Sequence, residues 1–328
     1  MAAGVSVALC TFQSEAYLEA QLASILAQSV LPSEVVIGDD GSTDASLEIV
    51  RGFAARAPFE VRVLPRSDSR GVVHNFQRTL EATAHETILL SDHDDVWFPH
   101  RVAASLEALK SGFEAIHADA AIIDRHGSET GDRLLALLRA DEATRKDLTG
   151  GRCFDLYLRR NFATGATMAV RRHLVDIALP IPAGWVHDEW LAMVAASRDT
   201  LALVDEPLIQ YRLHGANAIG ASRPTLRRRV QRTFTSGQNR NRTLSIRAAS
   251  LEARAPSLGL PANSESHRLT LIRNKATFER LRAELPSSRM RRVSPVAKLA
   301  TGSDYSHFAS QGWLDILRDL CQAAEPHQ

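Results

Sequence analysis

Cysteine is scarce in this chain of 328 residues. Its three cysteines, Cys10, Cys153 and Cys321, are far apart, odd in number and without C-x-x-C spacing. Disulfide frameworks need paired cysteines and zinc modules need closely spaced ones, so neither class of protein is indicated. This cysteine usage fits a reducing compartment, and we expect a cytoplasmic protein.

Long apolar runs and an excess of one charge are missing as well. No stretch approaches the roughly 20 apolar residues of a membrane-spanning helix, and residues 1–9 lack the basic and apolar sections of a secretory leader. Lys and Arg number 39 against 38 Asp and Glu, so nothing suggests a nucleic-acid partner. If the protein works at a membrane, we expect it to bind only the surface.

Several signature loops of common enzymes do not occur. The sequence has no G-x-x-x-x-G-K-[ST] loop, no G-x-G-x-x-G after the first predicted strand, no G-x-S-x-G elbow and no H-E-x-x-H. Their absence argues against a kinase with a P-loop, a dinucleotide dehydrogenase, an α/β-hydrolase and a zinc protease.

What the sequence does contain is an alternation of short strands and helices. Apolar, β-branched runs predict strands at residues 5–10, 34–38, 59–64 and 87–90, with helices between them, and further strands at 115–118, 162–170, 201–204 and 208–213. Strands that alternate with helices predict an α/β fold with a doubly wound, mostly parallel, Rossmann-like sheet.

Polar motifs follow three of these strands. Thr11 and Phe12 come after the first, residues 39–42 after the second, and an acidic cluster within residues 91–97 after the fourth. Ligands of such sheets bind outside the carboxyl ends of the strands. The sequence therefore predicts one site built from several loops.

The acidic cluster consists of Asp92, Asp94 and Asp95. Carboxylates this close repel one another unless a cation or hydrogen bonds offset the repulsion. Oxygen ligands suit Mg²⁺ or Mn²⁺, which bridge diphosphate oxygens. The alternative is a solvated acidic turn that caps a helix.

Asp39-Asp40-Gly41-Ser42 permits two interpretations. Asp-Gly is a common turn and Ser42 a common helix cap. A carboxylate at this edge can also accept hydrogen bonds from a ribose or a base.

His187-Asp188-Glu189-Trp190 leads into a predicted helix. Asp188 or Glu189 could act as a general base on an acceptor hydroxyl, with Trp190 covering a sugar face. Alternatively, the acids only stabilise the positive end of that helix.

Two further positions remain open between structure and binding. His214 is a lone histidine, which is more often structural, although imidazole and carboxylate often share a metal. Gly165, between Thr164 and Thr167, permits close approach of a ligand to the backbone or only a bulge.

Together these loops resemble the inverting family 2 glycosyltransferases of the GT-A fold, in particular the bacterial rhamnosyltransferase-like branch that builds surface polysaccharides. The resemblance covers roughly residues 4 to 220. It rests on Val5-Ser-Val-Ala-Leu-Cys-Thr-Phe12, on the segment from Gln28 to Asp44, and on Leu89-Leu-Ser-Asp-His-Asp-Asp-Val-Trp97, which is similar to the D-x-D loop of that branch.

The resemblance implies a nucleoside-diphosphate sugar as donor, linked to dTDP or UDP, and Mn²⁺ or Mg²⁺ as cofactor. Asp94 and His214 would hold the metal, and Asp188 would be the catalytic base. His93 stands where relatives commonly have Gln. The residues that we assign to nucleotide-sugar binding are Thr11, Phe12, Glu15, Asp39, Asp40, Ser42, Asp92, His93, Gly165, Ala166, Thr167 and Trp190.

The composition shifts near residue 222, because no acidic residue occurs between Pro207 and Leu251 while arginines cluster. We therefore predict a catalytic domain at residues 1–222 and a helical, arginine-rich extension at 223–328. The arginines of Arg223 to Arg242 would bind anionic lipid near a glycan or lipid-linked acceptor, at the inner face of the membrane. A solvated helix face or a partner surface is the alternative.

Two rival functions are compatible with such a sheet. A nucleotidyltransferase would need a glycine-rich basic loop after the first strand, and residues 11–15 do not supply one. A catalytically degenerate glycosyltransferase-like protein would bind a nucleotide sugar without turning it over.

Overall fold

The protein forms two compact units in a computed structural model. The structure describes residues 4–214, 237–302 and 304–321. The first unit contains residues 4–153, 162–181 and 186–214, and the second contains 154–161, 182–185 and the described residues from 237 onward. The predicted boundary at residue 222 lies outside the described residues.

A nine-stranded sheet forms the centre of the first unit. Its main path runs in the order β3-β2-β1-β4-β8-β6-β9-β5, and β7 pairs with β6. The strands are β1 (Val5–Thr11), β2 (Glu34–Asp39), β3 (Glu60–Val63), β4 (Thr87–Ser91), β5 (Val96–Trp97), β6 (Ala115–Ile123), β7 (Glu129–Arg133), β8 (Ala169–Arg171) and β9 (Leu201–Arg212).

Most paired residues of the sheet lie in parallel ladders, which join β1 to β2 and β4, β2 to β3, and β6 to β9. Strands β5, β7 and β8 pair antiparallel with their neighbours. Every residue of β1 and of β2 is buried, as expected for parallel strands covered by helices on both faces. The predicted doubly wound α/β fold is confirmed.

Eight helices in the described part of the first unit connect or flank these strands. They are α1 (Leu18–Leu26), α2 (Ser46–Ala54), α3 (Val72–Ala82), α4 (Arg101–Leu109), α5 (Leu134–Leu137), α6 (Glu142–Thr149), α8 (Arg172–Ala178) and α9 (His187–Ser197).

Strand β9 differs from the prediction, which divided it into residues 201–204 and 208–213. The pairing of β6 with β9 is continuous and shifts register around Asp119, which lies opposite Pro207. Proline donates no hydrogen bond to a ladder and is accommodated at such irregularities. The polar and proline-containing middle of the run therefore marks a bulge within one strand.

The predicted strand at residues 162–170 is mostly wrong. Residues Gly165–Thr167 form a 3₁₀ turn, and only Ala169–Arg171 joins the sheet, as β8. The N–H of Gly165 donates to the side chain of Asp188 at 2.9 Å, so this segment is tied to helix α9 instead of to a neighbouring strand.

The second unit is helical, as predicted for the C-terminal region. Its core contains buried charges: Arg282 and Asp319 are fully or nearly fully buried and lie 2.6 Å apart. Among the described residues, none of the helices combines the length and apolar character that crossing a bilayer requires. The helices are α7 (Phe154–Arg159), α10 (Gly237–Arg254), α11 (Glu265–Ala283), α12 (Arg289–Thr301), α13 (Asp304–Phe308) and α14 (Trp313–Cys321).

The arginines predicted to bind lipid are only partly placed by the structure. Residues 223–236 lie outside the described part of the chain. Arg240 has a side chain that is 32% exposed, and its guanidinium donates to the buried Asp315 at 3.3 Å and to Ser310 at 3.0 Å. It therefore has partners within the second unit, and lipid binding by these arginines stays a prediction.

Candidate active site

Three of the predicted motifs meet at one edge of the sheet because their strands are neighbours. Strand β1 lies between β2 and β4, with Thr11 opposite Asp39 and Leu9 opposite Ser91. The loops that follow these strands therefore leave the sheet side by side. Thr11 is buried and its hydroxyl contacts that of Ser14, whereas Phe12 is half exposed at the edge.

The loops after β1 and β2 are tied to each other by reciprocal hydrogen bonds. The Thr43 N–H donates to the side-chain oxygen of Gln13 at 2.8 Å, and Gln13 returns a bond to the Thr43 hydroxyl at 3.1 Å. Glu15 donates its N–H to Asp44 and accepts from the N–H of Ala45, both at 3.1 Å. Glu15, predicted to bind the nucleotide, thus holds the two loops together.

The neighbouring acids Asp39 and Asp40 have different roles in the turn. The Asp39 carboxylate accepts from the N–H groups of Gly41 and Ser42, each at 2.9 Å, and from the Ser42 hydroxyl at 2.6 Å. Asp40 is only half buried and accepts from the N–H of Gly71 at 2.8 Å. Asp39 therefore stabilises the turn itself, whereas the carboxylate of Asp40 is partly exposed to solvent.

The acidic loop after β4 brings the predicted metal ligands together. Carboxylate oxygens of Asp92, Asp94 and Asp95 lie within 4.8 Å of one another. The Nε2 atom of His214, at the end of β9, is 2.8 Å from Oδ2 of Asp94. Residues that are 120 positions apart in sequence thus converge on one point.

Burial and mutual repulsion shape the protonation of this loop. Burial, followed by the charges of Asp94 and Asp188, raises the pKa of Asp92 to about 8. Burial and the charges of Asp94 and Asp92 hold the pKa of Asp95 well above its usual range. The ionised carboxylates of this buried loop therefore repel one another, and a bound cation would stabilise them.

Two arginines that sequence reasoning missed support the acidic loop. Arg101 is fully buried and donates to the Leu90 carbonyl at 2.8 Å. The central carbon of its guanidinium lies 3.7 Å from the centroid of the Trp97 ring. Burial lowers the pKa of Arg101 to about 9, although Asp95 and Asp92 oppose the change. The sequence did offer one indication of this role, because Arg101 is a charged residue at the start of the helix that follows the loop.

Arg212 is the second of these arginines and lies at the end of β9. The backbone N–H of Arg212 donates to Oδ1 of Asp95 at 3.0 Å, and its side-chain Nε donates to the Asp94 carbonyl at 2.7 Å. Strand β9 therefore fixes both the backbone and one carboxylate of the acidic loop.

The donor set fits a hard divalent cation. It offers carboxylate oxygens and one imidazole nitrogen, a mixture compatible with Mn²⁺ or Mg²⁺. Oδ2 of Asp95 is buried and has no hydrogen-bond partner in the described part of the chain. A buried carboxylate oxygen without a partner is costly unless a further group, such as a cation, compensates it.

Asp188 lies in the first turn of helix α9, where its carboxylate accepts two backbone hydrogen bonds. Oδ2 accepts from Gly165 at 2.9 Å and Oδ1 from Glu189 at 2.7 Å. A Cβ atom on Gly165 would lie 2.7 Å from Nε2 of the buried His187. Gly165 is therefore required for close packing of its segment, which includes the buried Ala166 and Thr167, against α9.

The expectation that Trp190 covers a sugar face is wrong for this structure. Its side chain is fully buried, and its Nε1–H donates to the Ala178 carbonyl at 2.7 Å. Helix α9 is buried along almost its whole length, so its aromatic residue points into the core. His93, by contrast, lies on the acidic loop, and burial holds its pKa below the usual range.

Comparison with known proteins identifies the family and the fold of this chain. The model of the family described as "Glycosyltransferase like family 2" matches residues 2–199. An uncharacterized glycosyltransferase of Nostoc sp. is 26% identical over 224 residues, which are 65% of this chain and 66% of that protein. The dTDP-rhamnosyl transferase RfbG of Shigella flexneri is 30% identical over 105 residues, 31% of this chain and 36% of RfbG.

Solved structures share the fold. Residues 1–349 of Staphylococcus aureus TarS in complex with UDP-GlcNAc superpose with a TM-score of 0.56 at 16% identity, covering 97% of this chain and 90% of that one. A mannosyltransferase from Pyrobaculum calidifontis, in complex with GDP-Man and Mn²⁺, gives a TM-score of 0.52 at 17% identity, covering 97% and 85%.

The family model spans more than half of the chain, and the arrangement of strands agrees with that of the solved glycosyltransferases. The chain spans about two thirds of the length of the first of the curated relatives. The name of RfbG agrees with the rhamnosyltransferase-like branch that the loop motifs indicated. The chain therefore belongs to the family 2 glycosyltransferases and has the GT-A fold.

Proposed function

We propose that this protein transfers a sugar, rhamnose or another hexose, from a dTDP- or UDP-linked donor to a hydroxyl group of a surface glycan or lipid-linked acceptor, with inversion at the anomeric carbon. One observation carries the proposal. Nε2 of His214 lies 2.8 Å from Oδ2 of Asp94, in a loop whose three aspartates have carboxylate oxygens within 4.8 Å of one another at the carboxyl edge of the sheet. This donor set suits a divalent cation that binds a diphosphate, which supports the use of a nucleoside-diphosphate sugar.

The donor would bind across the loops at the carboxyl edge of the sheet. Thr11, Phe12 and Asp40 would contact the nucleoside from the loops after β1 and β2, and Asp92 would contact it from the acidic loop. Asp94 and His214 would hold Mn²⁺ or Mg²⁺, which supplies positive charge to the leaving nucleoside diphosphate. The Mn²⁺ bound by the Pyrobaculum mannosyltransferase supports this cofactor.

Asp188 would act on the acceptor. Its carboxylate takes the proton of the acceptor hydroxyl while that oxygen bonds to the anomeric carbon, and the bond from this carbon to the diphosphate oxygen breaks. Attack opposite the leaving group inverts the configuration. The backbone N–H groups of Gly165 and Glu189 hold the carboxylate in one orientation during this step.

The test compares two variants with a matched control. Purified protein is assayed with a panel of nucleotide sugars, Mn²⁺ and glycan or lipid-linked acceptors, and donor binding is measured separately. Asp188→Asn is expected to lower transfer by about 10²- to 10⁴-fold, the usual contribution of a general base, while the donor still binds. Asp94→Asn is expected to weaken metal-dependent donor binding as well.

Glu48→Gln, on the exposed side of helix α2, is the control and should leave both readouts unchanged. Transfer by Asp188→Asn at the rate of the unmodified protein would rule out Asp188 as the base. Tight donor binding without turnover for any acceptor would favour a degenerate binding protein, and synthesis of nucleotide sugar from a nucleoside triphosphate would favour a nucleotidyltransferase.

A further inference from the structure

Helix α14 of the second unit has its acidic residues inside and its apolar residues outside. Asp315 and Asp319 are fully buried, whereas Trp313, Leu314 and Leu317 are 66%, 37% and 45% exposed. A helix that only completes a soluble core shows the opposite arrangement.

Hydrogen bonds fix this orientation. Asp319 accepts from Arg282 at 2.6 Å, from the Tyr305 hydroxyl at 2.7 Å and from Asn241 at 3.0 Å. Asp315 accepts from the N–H of Gln311 at 2.9 Å. Rotation of the apolar side chains into the core would break these bonds and expose their buried partners, so the apolar face stays at the surface.

The neighbouring helix α12 packs against α14 and adds apolar and basic side chains to the exposed surface of this unit. Met290 and Val293 are 87% and 57% exposed. Arg289 and Arg291, the sequence neighbours of Met290 at the start of α12, are exposed as well. The two acids of α14 are buried and paired, so they do not offset this positive charge.

We propose that α12 and α14 form a docking surface for an anionic lipid bilayer. This docking surface consists of Arg289, Met290, Arg291, Val293, Trp313, Leu314 and Leu317. Exposed tryptophan and aliphatic side chains beside arginines match the boundary between acyl chains and negatively charged headgroups. The charge complementarity selects an anionic membrane over a neutral one. The inference does not depend on the proposed catalytic residues.

Vesicle co-sedimentation of the full chain tests this surface. Vesicles of phosphatidylglycerol and phosphatidylcholine are expected to bind the protein, binding should weaken as salt is added, and pure phosphatidylcholine should bind far less. Replacing both arginines (Arg289→Gln, Arg291→Gln) should weaken binding about thirtyfold, since each basic residue near the surface contributes a factor of about five. Trp313→Ala with Leu317→Gln should weaken binding by at least as much.

Controls separate docking from folding, catalysis and self-association. Leu31→Gln removes a 43% exposed leucine from the first unit and should leave vesicle binding unchanged. The replaced side chains are exposed, so thermal unfolding and donor hydrolysis should remain those of the parent protein. No binding to anionic vesicles, or equal binding by all variants, would overturn the proposal. So would a dimer in sedimentation equilibrium that the Trp313→Ala, Leu317→Gln protein loses.

Discussion

At the residue scale, Gly165 has no room for a methyl group. A Cβ atom there would lie 2.7 Å from Nε2 of His187 and 3.3 Å from Cβ of Asp188. We expect Gly165→Ala to displace Asp188 and to lower kcat by about 10²-fold, the usual cost of misplacing a catalytic group by 1 Å. Steady-state kinetics would measure this loss. Gly52→Ala is the control, since nothing lies within 4 Å of the added methyl group.

Glu34 makes the stability of the first unit depend on pH. Burial raises the pKa of its carboxyl, but hydrogen bonds from Ser6, the Ala84 N–H and Arg62 outweigh burial and hold it below the usual range. A depressed pKa in the folded state stabilises the protein above the unfolded pKa, and the effect is lost as pH falls through the folded value.

Glu34→Gln should therefore lower the free energy of unfolding by about 2 kcal/mol at neutral pH. The difference from the parent should shrink below pH 4, as measured by urea unfolding at both pH values. Glu60→Gln removes an exposed partner of the same arginine and should have little effect at either pH. A difference that grows on acidification would contradict the assignment.

The sequence indicated which loops meet at the sheet edge, but it did not indicate the surroundings of individual side chains. Asp94 and His214, which the family resemblance suggested as metal ligands, lie 2.8 Å apart, and their binding of a metal stays a prediction. Trp190 was misplaced because helix α9 is buried nearly all round and has no periodic polar face to orient it. Arg101 was missed because its role depends on burial beneath the loop.

At the element scale, the orientation of α14 depends on Asp319. Replacing Asp319 by Ala removes a carboxylate that pairs with the fully buried guanidinium of Arg282 and accepts the hydrogen bond of the Tyr305 hydroxyl. Breaking a buried ion pair on one side typically costs about 3–5 kcal/mol. We expect a loss of this size in the unfolding transition of the second unit, followed by circular dichroism in denaturant.

Glu252→Ala gives the matched comparison, because Glu252 is also ion-paired in the second unit but is exposed, 3.8 Å from Arg273. Its effect should stay below about 1 kcal/mol. Equal losses for the two variants would mean that the buried pair does not hold the helix.

Element boundaries were predictable where apolar runs are long and uninterrupted. All four strands predicted before residue 91 occur. Strands β1, β2 and β4 are buried throughout, whereas β3 is exposed to half buried and alternates charged residues with valine. Strand β9 was divided in the prediction because polar and proline residues at its bulge resemble a turn. Residues 162–170 read as a strand, since nothing in the local sequence reveals that Gly165 bonds to Asp188.

At the scale of the whole molecule, ligand binding should act on one unit more than on the other. All proposed donor and metal contacts lie in the first unit, so dTDP or UDP with Mn²⁺ should raise its melting temperature. At 100 times the dissociation constant a ligand adds about 2.7 kcal/mol. Scanning calorimetry with and without a chelator would measure the shift.

The shift should be absent in Asp94→Asn, and the transition of the second unit should move little. An equal rise of every transition would show instead that the two units unfold as one.

The composition of the two units could not be read from the sequence. Residues 154–161 and 182–185 belong to the second unit although they lie inside the stretch predicted as the catalytic domain. Trp185, for instance, donates to the Arg247 carbonyl at 3.1 Å. Such contacts join segments that are far apart along the chain, and the amino-acid composition of a segment does not predict them.

The reciprocal bonds between the loops after β1 and β2 also set the smallest part of this site that can be exchanged between relatives. A chimera that receives only the first loop would bring a new partner for Thr43 and Ala45 while keeping the old second loop, leaving bonds on both sides unmatched. The transplantable module is the pair of loops, and a change of nucleotide preference by grafting is expected only when both are exchanged together.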